Sequence, residues 1–217
     1  MASVTTPQRT YRRRERTRNE LVSAAERLVA ARGMDALSIE EITAAADVAK
    51  GTFYTHFTDK EDLAAAIGLQ IRLELEGKIS SLNRSVKDAP QRMANGLSTV
   101  LLYAIEQPIR ARALMRLIPG SVNPDTPINA GIRADIQLGL KTKVFWAASV
   151  NAAVVITLGA AMSAAMRLSD RVHAVSNPFD FAADVVATVL VALGVEPNDA
   201  VRTARDAMAA RREKAPS

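Results

Sequence analysis

The chain is expected to fold as an all-α protein, with an N-terminal three-helix unit followed by a longer helical domain. Three observations predict this. Alanine and leucine carry much of the apolar content while aromatic residues make up only 4% of the chain, a balance that favours helix over sheet. Apolar residues recur at helical spacing in one segment after another, and no convincing strand run interrupts them. Prolines fall between the long segments rather than inside them, as the missing N–H requires. At 217 residues the chain can bury a core in one medium domain, or in a small domain joined to a larger one.

Residues 1–11 are expected to form a flexible basic arm, because Met1–Arg9 has no periodicity and contains Pro7 with several Ser and Thr. A first helix then spans Tyr11–Arg32, with Leu21, Ala24, Ala25, Leu28 and Val29 on one stripe. Gly33 ends it as a left-handed cap, and Ser38 with Glu41 forms a capping box that opens a second helix. That helix stops at Asp47, which tolerates the left-handed conformation better than most non-glycine residues, and Val48 plugs the turn. A third helix turns Phe53 and Phe57 inward. Thr58 or Asp59 caps a fourth, with Leu63, Ile67, Ile71 and Leu75 on one face as far as Ser81. Residues 12–77 thus make the N-terminal domain, and residues 78–213 the second one.

In the second domain, Asn83–Pro90 is a polar break before a helix over Gln91–Glu106. A short helix over Ile109–Ile118 and a loop over Ser121–Pro127 follow. Ile128–Lys143 reads as helix, and a long apolar segment runs over Val144–Met166. It is uncharged and long enough to cross a bilayer of ~30 Å. Ser149, Asn151, Thr157 and Ser163 interrupt it, however, and neither end has an aromatic belt or a lysine-arginine loop, so a buried or interface helix is the preferred reading. Asn177-Pro178 breaks the pattern before a helix over Phe179–Leu193, and Pro197–Arg212 is amphipathic.

The charge of +5 matters less than its placement. Arg12, Arg13, Arg14, Arg16 and Arg18 crowd together with only Glu15 among them, which suits contact with a polyanion. Other chemistry is hard to find. There is no cysteine, so disulfides and thiolate metal sites are excluded. No two glycines are separated by a single residue, so neither G-x-G-x-x-G nor a P-loop can be built. His56 and His173 are far apart and lack a carboxylate at metal-ligand spacing. The arginines near the start are not followed by an unbroken apolar stretch, which argues against a signal peptide and fits residence in the cytoplasm. Neither an enzyme, a metal site nor a cofactor is expected.

What remains is residues 38–57, two short helices joined by a tight turn. Such a helix-turn-helix places its second helix in the major groove of DNA, so that helix must combine donors with a place of close approach. Gly51 supplies the approach. Lys50 can reach guanine O6 and N7 or a phosphate, and Thr52 offers a hydroxyl and a methyl that can meet a thymine methyl. Ser38, Tyr54, His56 and Lys60 stand where flanking phosphates should lie, and would position the protein rather than read bases.

Residues 14–75 resemble the TetR family of bacterial transcriptional regulators. The resemblance is carried by Leu21-x-x-Ala24-Ala25-x-x-Leu28, the Gly33 break, Ser38-Ile39-x-x-Ile42, Lys50-Gly51-Thr52-Phe53-Tyr54-x-His56-Phe57 and Lys60-Glu61-x-Leu63. The family turn usually runs Gly-Val-Ser, where this chain has Asp47, Val48 and Ala49. Ala49 thereby lacks a hydroxyl that would cap the third helix, a loss of ~1 kcal/mol.

The resemblance implies a homodimeric repressor on a palindromic operator in double-stranded DNA, released by a small-molecule ligand. It places the dimer contacts at 144–168 and 179–193 and the ligand pocket among the C-terminal helices. Met93, Leu97, Leu101, Ile105, Met115 and Phe145 are the candidate lining, and their lack of charge suggests an apolar or amphipathic ligand. The competing function is a non-specific architectural DNA-binding protein, for which the arginine cluster would matter more than Lys50 or Thr52.

Overall fold

The structure, a computed structural model, describes residues 6–117, 129–170 and 174–212, with side chains described from Tyr11 to Arg211 within those spans. Among the described residues there are ten α-helices and no strand. They are α1 (Thr6–Arg32), α2 (Ile39–Ala45), α3 (Lys50–Phe53), α4 (Lys60–Asn83), α5 (Ala89–Glu106), α6 (Pro108–Leu117), α7 (Ala130–Lys141), α8 (Val150–Ser169), α9 (Pro178–Ala192) and α10 (Pro197–Arg212). The all-α class is as expected from the sequence.

Tertiary contacts divide the chain into two units. The first holds Met1–Arg72 with Arg112–Ile118, the second Leu73–Ala111 with Pro119–Ser217. The boundaries therefore fall inside α4 and α6. The sequence places the first boundary at residue 77 and has no signal for the return of 112–118 to the N-terminal unit.

In the N-terminal unit, Leu21, Ala25 and Val29 of α1 are fully buried, as are Ile42, Phe53, Leu63, Ile67 and Ile71. Burying each of the larger ones is worth about 1.5–3 kcal/mol. Helix α1 begins at Thr6, so the arm expected over 1–11 is helical from that point, while Met1–Thr5 lie outside the described residues. Pro7 stands in the first turn, where its missing N–H leaves no intrahelical bond unmade. Extending a helix already anchored by its packed half is also cheap compared with starting one.

In the second unit α5 is the central helix, packed against α7, α8, α9 and α10. It starts two residues before its expected first residue, because Asp88 caps it by accepting from the Gln91 N–H at 2.9 Å and Pro90 fits the first turn. Arg92 closes the preceding turn, donating to the Asn83 and Val86 carbonyls at 2.9 and 3.1 Å and to Asp135 of α7 at 2.5 Å. Burial pushes the Asp135 carboxyl up even though Arg92 pulls it down, so desolvation takes back part of what this ion pair contributes. Arg211 of α10 donates to the Asn95 carbonyl and the Thr99 hydroxyl of α5. Burial lowers its guanidinium to about 10, which leaves it charged at neutral pH.

One expectation fails clearly. Val144–Met166 is not a single helix: α7 ends at Lys141, residues 144–149 form a corner, and α8 starts at Val150 under a Ser149 cap. The cause is tertiary. Lys143 takes a left-handed φ of 61°, the Phe145 ring occupies the space beside Gly139 that any side chain there would need, and the Trp146 N–H bonds to the Leu193 carbonyl at 2.7 Å. Helix α8 is long and apolar enough to cross a membrane by length and composition. Its Val154, Thr157, Ala161 and Ala165 are buried, and it packs on α5, α7 and α9. The loop expected over Ser121–Pro127 and His173 lie outside the described residues.

Candidate nucleic-acid interface

The helix-turn-helix is assembled largely by local bonds. Ser38 accepts from the Glu41 N–H at 3.2 Å while Glu41 accepts from the Ser38 N–H at 2.8 Å, which is the reciprocal capping box the spacing predicts. Arg32 pairs with the same Glu41 at 2.8 Å. At the other end of α2, Asp47 holds φ at 54°. Its N–H bonds to the Ala44 carbonyl at 3.2 Å and the Val48 N–H to the Thr43 carbonyl at 3.0 Å, the double closure of a Schellman turn. Ala49 is the N-cap of α3 and makes no side-chain cap bond, so the missing hydroxyl is not replaced from elsewhere in the cap.

Phe53 and Phe57, 0% and 2% exposed, seat α3 and the segment after it on the core; α3 ends at Phe53, so Phe57, expected on the third helix, lies beyond it. Their rings lie 5.8 Å apart, and Tyr54 meets Phe53 edge-on at 5.4 Å. With these rings turned in, Lys50, Gly51 and Tyr54 face outward and Thr52 is half-buried. A Cβ at Gly51 would meet nothing within 4 Å, so the outer backbone of α3 is bare.

Three of the residues assigned to phosphate are less open. The Ser38 hydroxyl is held in the capping box and also donates to Glu41 at 3.0 Å. Lys60 donates to the Leu37 carbonyl at 2.7 Å, leaving its other ammonium protons for a second acceptor. His56 is half-buried; burial, then the nearby Arg14 and Arg18, push its pKa down, so at neutral pH it offers a neutral imidazole rather than a cation.

Sequence reasoning missed several participants. Arg14 donates to the Thr55 carbonyl at 3.3 Å and Arg18 lies over the Phe57 ring at 5.0 Å, so part of the arginine cluster braces the segment that follows α3. Their charge was visible in the sequence; their direction was not. Glu40 of α2 forms an ion pair with Lys50, ten residues away, at a separation that no single-helix spacing rule covers.

Residues 21–67 match the model for bacterial regulatory proteins of the tetR family. That matched stretch is a tetR-family segment. Over 89 residues the chain is 30% identical to the HTH-type transcriptional repressor DhaR of Mycobacterium sp. (strain GP1), covering 41% of this chain and 45% of DhaR. It is 29% identical over 120 residues to the HTH-type transcriptional regulator AcrR of Shigella flexneri, covering 51% of each. The chain thus spans about half the length of the curated relatives it matches. Among solved structures the likeness is one of fold: RolR, solved with resorcinol, is similar over 89% of this chain and 95% of its own, at 24% identity and a TM-score of 0.56.

The pocket candidates divide between the two units. Met115 belongs to the N-terminal unit by its contacts, the other five to the C-terminal one. Within the C-terminal unit Met93, Leu97 and Leu101 are buried and Ile105 is half-buried, while Phe145 is committed to Gly139. Ser98, which sequence reasoning passed over, is fully buried, and its hydroxyl has no hydrogen-bond partner among the described residues.

Proposed function

We propose that the chain is a sequence-specific DNA-binding transcriptional regulator, a homodimeric repressor that a small molecule releases from its operator. The observation that carries this is α3 itself. A family-matched helix-turn-helix buries both phenylalanines and turns Lys50, bare Gly51 and Tyr54 outward, with Thr52 at their edge. Lys50 and Thr52 are assigned to bases, and Ser38, Tyr54, His56 and Lys60 to phosphates. Relatives that match part of this chain are named as a repressor and a transcriptional regulator.

A second copy of the chain is supported by the exposed Val155, Ile156 and Met166 of α8 and Val191 of α9, apolar side chains on the two helices expected to pair. A ligand is supported by Ser98. A buried hydroxyl left without a partner is costly, and its spacing to Leu101 and Ile105 puts all three on one face of α5. An amphipathic molecule would supply both the hydrogen bond and the apolar contact, as resorcinol, bound by the similarly folded RolR, has hydroxyls on an apolar ring. DNA as partner places the protein in the cytoplasm.

Selection of bound duplexes from a random pool tests the reading. The expected product is a palindrome with half-sites about one helical turn, ~34 Å, apart, bound with steep salt dependence. Lys50→Ala should change base preference at one position per half-site. Equal affinity for selected and random duplex would sink the proposal and leave an architectural DNA binder in its place.

A further inference from the structure

The Lys50–Glu40 pair spans the two helices of the motif. Lys50 opens α3 and Glu40 lies in the first turn of α2, and their side chains are 54% and 61% exposed. An ion pair this open to water contributes little to folding. Each partner nevertheless keeps the other ionised: the carboxyl is held below its usual range and the ammonium above, chiefly through their shared hydrogen bond.

On a DNA-facing surface such a pair has a specific consequence. A free lysine ammonium is a mobile point charge that grips any phosphate within reach, and such contacts tighten binding to every sequence alike. A carboxylate only accepts hydrogen bonds. It repels phosphate, but it tolerates the cytosine N4 and adenine N6 donors of the major groove. We infer that Glu40 is a positioning residue for base readout: by holding Lys50 across the turn it keeps the ammonium off the backbone and aimed at base edges, lowering affinity for duplexes that lack the matching bases and so sharpening discrimination. This rests on the DNA-reading function proposed above.

The test compares the full-length protein with Glu40→Gln, Lys50→Ala and the double variant on the selected duplex and on random duplex. Glu40→Gln should tighten random-duplex binding while leaving selected-site binding nearly unchanged, so the ratio between them falls by about tenfold. The salt slope on random duplex should steepen by ~0.9 for each subunit whose Lys50 takes a phosphate. In the Lys50→Ala background the same change should leave the ratio where it was.

A general electrostatic role would tighten both duplexes equally, and a merely structural one would lower the melting temperature without moving the ratio. Either result overturns the inference. A wild-type protein with no preferred site overturns the DNA-reading function and this inference together. A wild type with a clear site and an unchanged ratio in Glu40→Gln overturns this inference alone.

Discussion

Asp47 and Lys143 both hold positive φ, 54° and 61°, and both close a helix with the same pair of bonds, yet the surrounding structure supports them differently. In each the N–H of the left-handed residue reaches back three residues and that of the following valine five, Val48 to Thr43 and Val144 to Gly139. Gly194 followed by Val195 repeats the arrangement after α9. Asp47 needs little help, since its short polar side chain suits the conformation and the bonds around it lie within a dozen residues. Lys143 has no such side chain. Its corner is held by partners distant in sequence or made accessible by a missing side chain: the Phe145 ring against Gly139 and the Trp146 N–H on the Leu193 carbonyl. The lesson is that one backbone motif can be specified locally at one end of a chain and imposed by packing at the other.

The largest effect should come from Gly139→Ala. A side chain there collides with the buried Phe145 ring, and overpacking of this kind costs about 1–3 kcal/mol, measurable by urea unfolding. Adding Phe145→Leu should return part of the loss, a non-additivity expected of residues in contact. An uncostly Gly139→Ala would mean that the corner does not depend on this ring. The local arrangement is probed by Ser38→Ala, which removes half of the capping box and should cost about 1 kcal/mol, with no matching rescue from any distant substitution.

The sharpest comparison has the smallest signal. Lys143→Gly relieves a left-handed cost of about 1–2 kcal/mol per residue against the entropy that glycine adds to the unfolded chain, for a net gain of roughly 0.5 kcal/mol. Asp47→Gly should gain less, because aspartate pays less to begin with. Equal gains in paired thermal melts would erase the distinction between the two turns.

Much of the N-terminal unit was legible because its signals are short-range. Ser38 with Glu41, Gly33, Asp47 and the inward Phe53 and Phe57 are each read from neighbours a few residues away, and each is found in its expected role. Helix α1 extends further toward the N-terminus than periodicity predicts, because a polar, arginine-rich stretch looks like a tail when no apolar stripe marks it. Val144–Met166 looks like one helix in the sequence because periodicity reports apolarity and says nothing of where a glycine makes room for a ring. Glu40 and Ser98 had no local signal: the first becomes visible only when two helices are set beside each other, the second only when burial removes water from its hydroxyl.

The sequence by itself determined the helical class, the caps and turn of the helix-turn-helix and the residues offered on α3, since all of these depend on propensity and on bonds that span a turn or two. Only the tertiary structure decided where α8 begins, that 112–118 return to the N-terminal unit, and that Lys50 is held by Glu40. The reason is that such choices depend on which distant surfaces come to exclude water together.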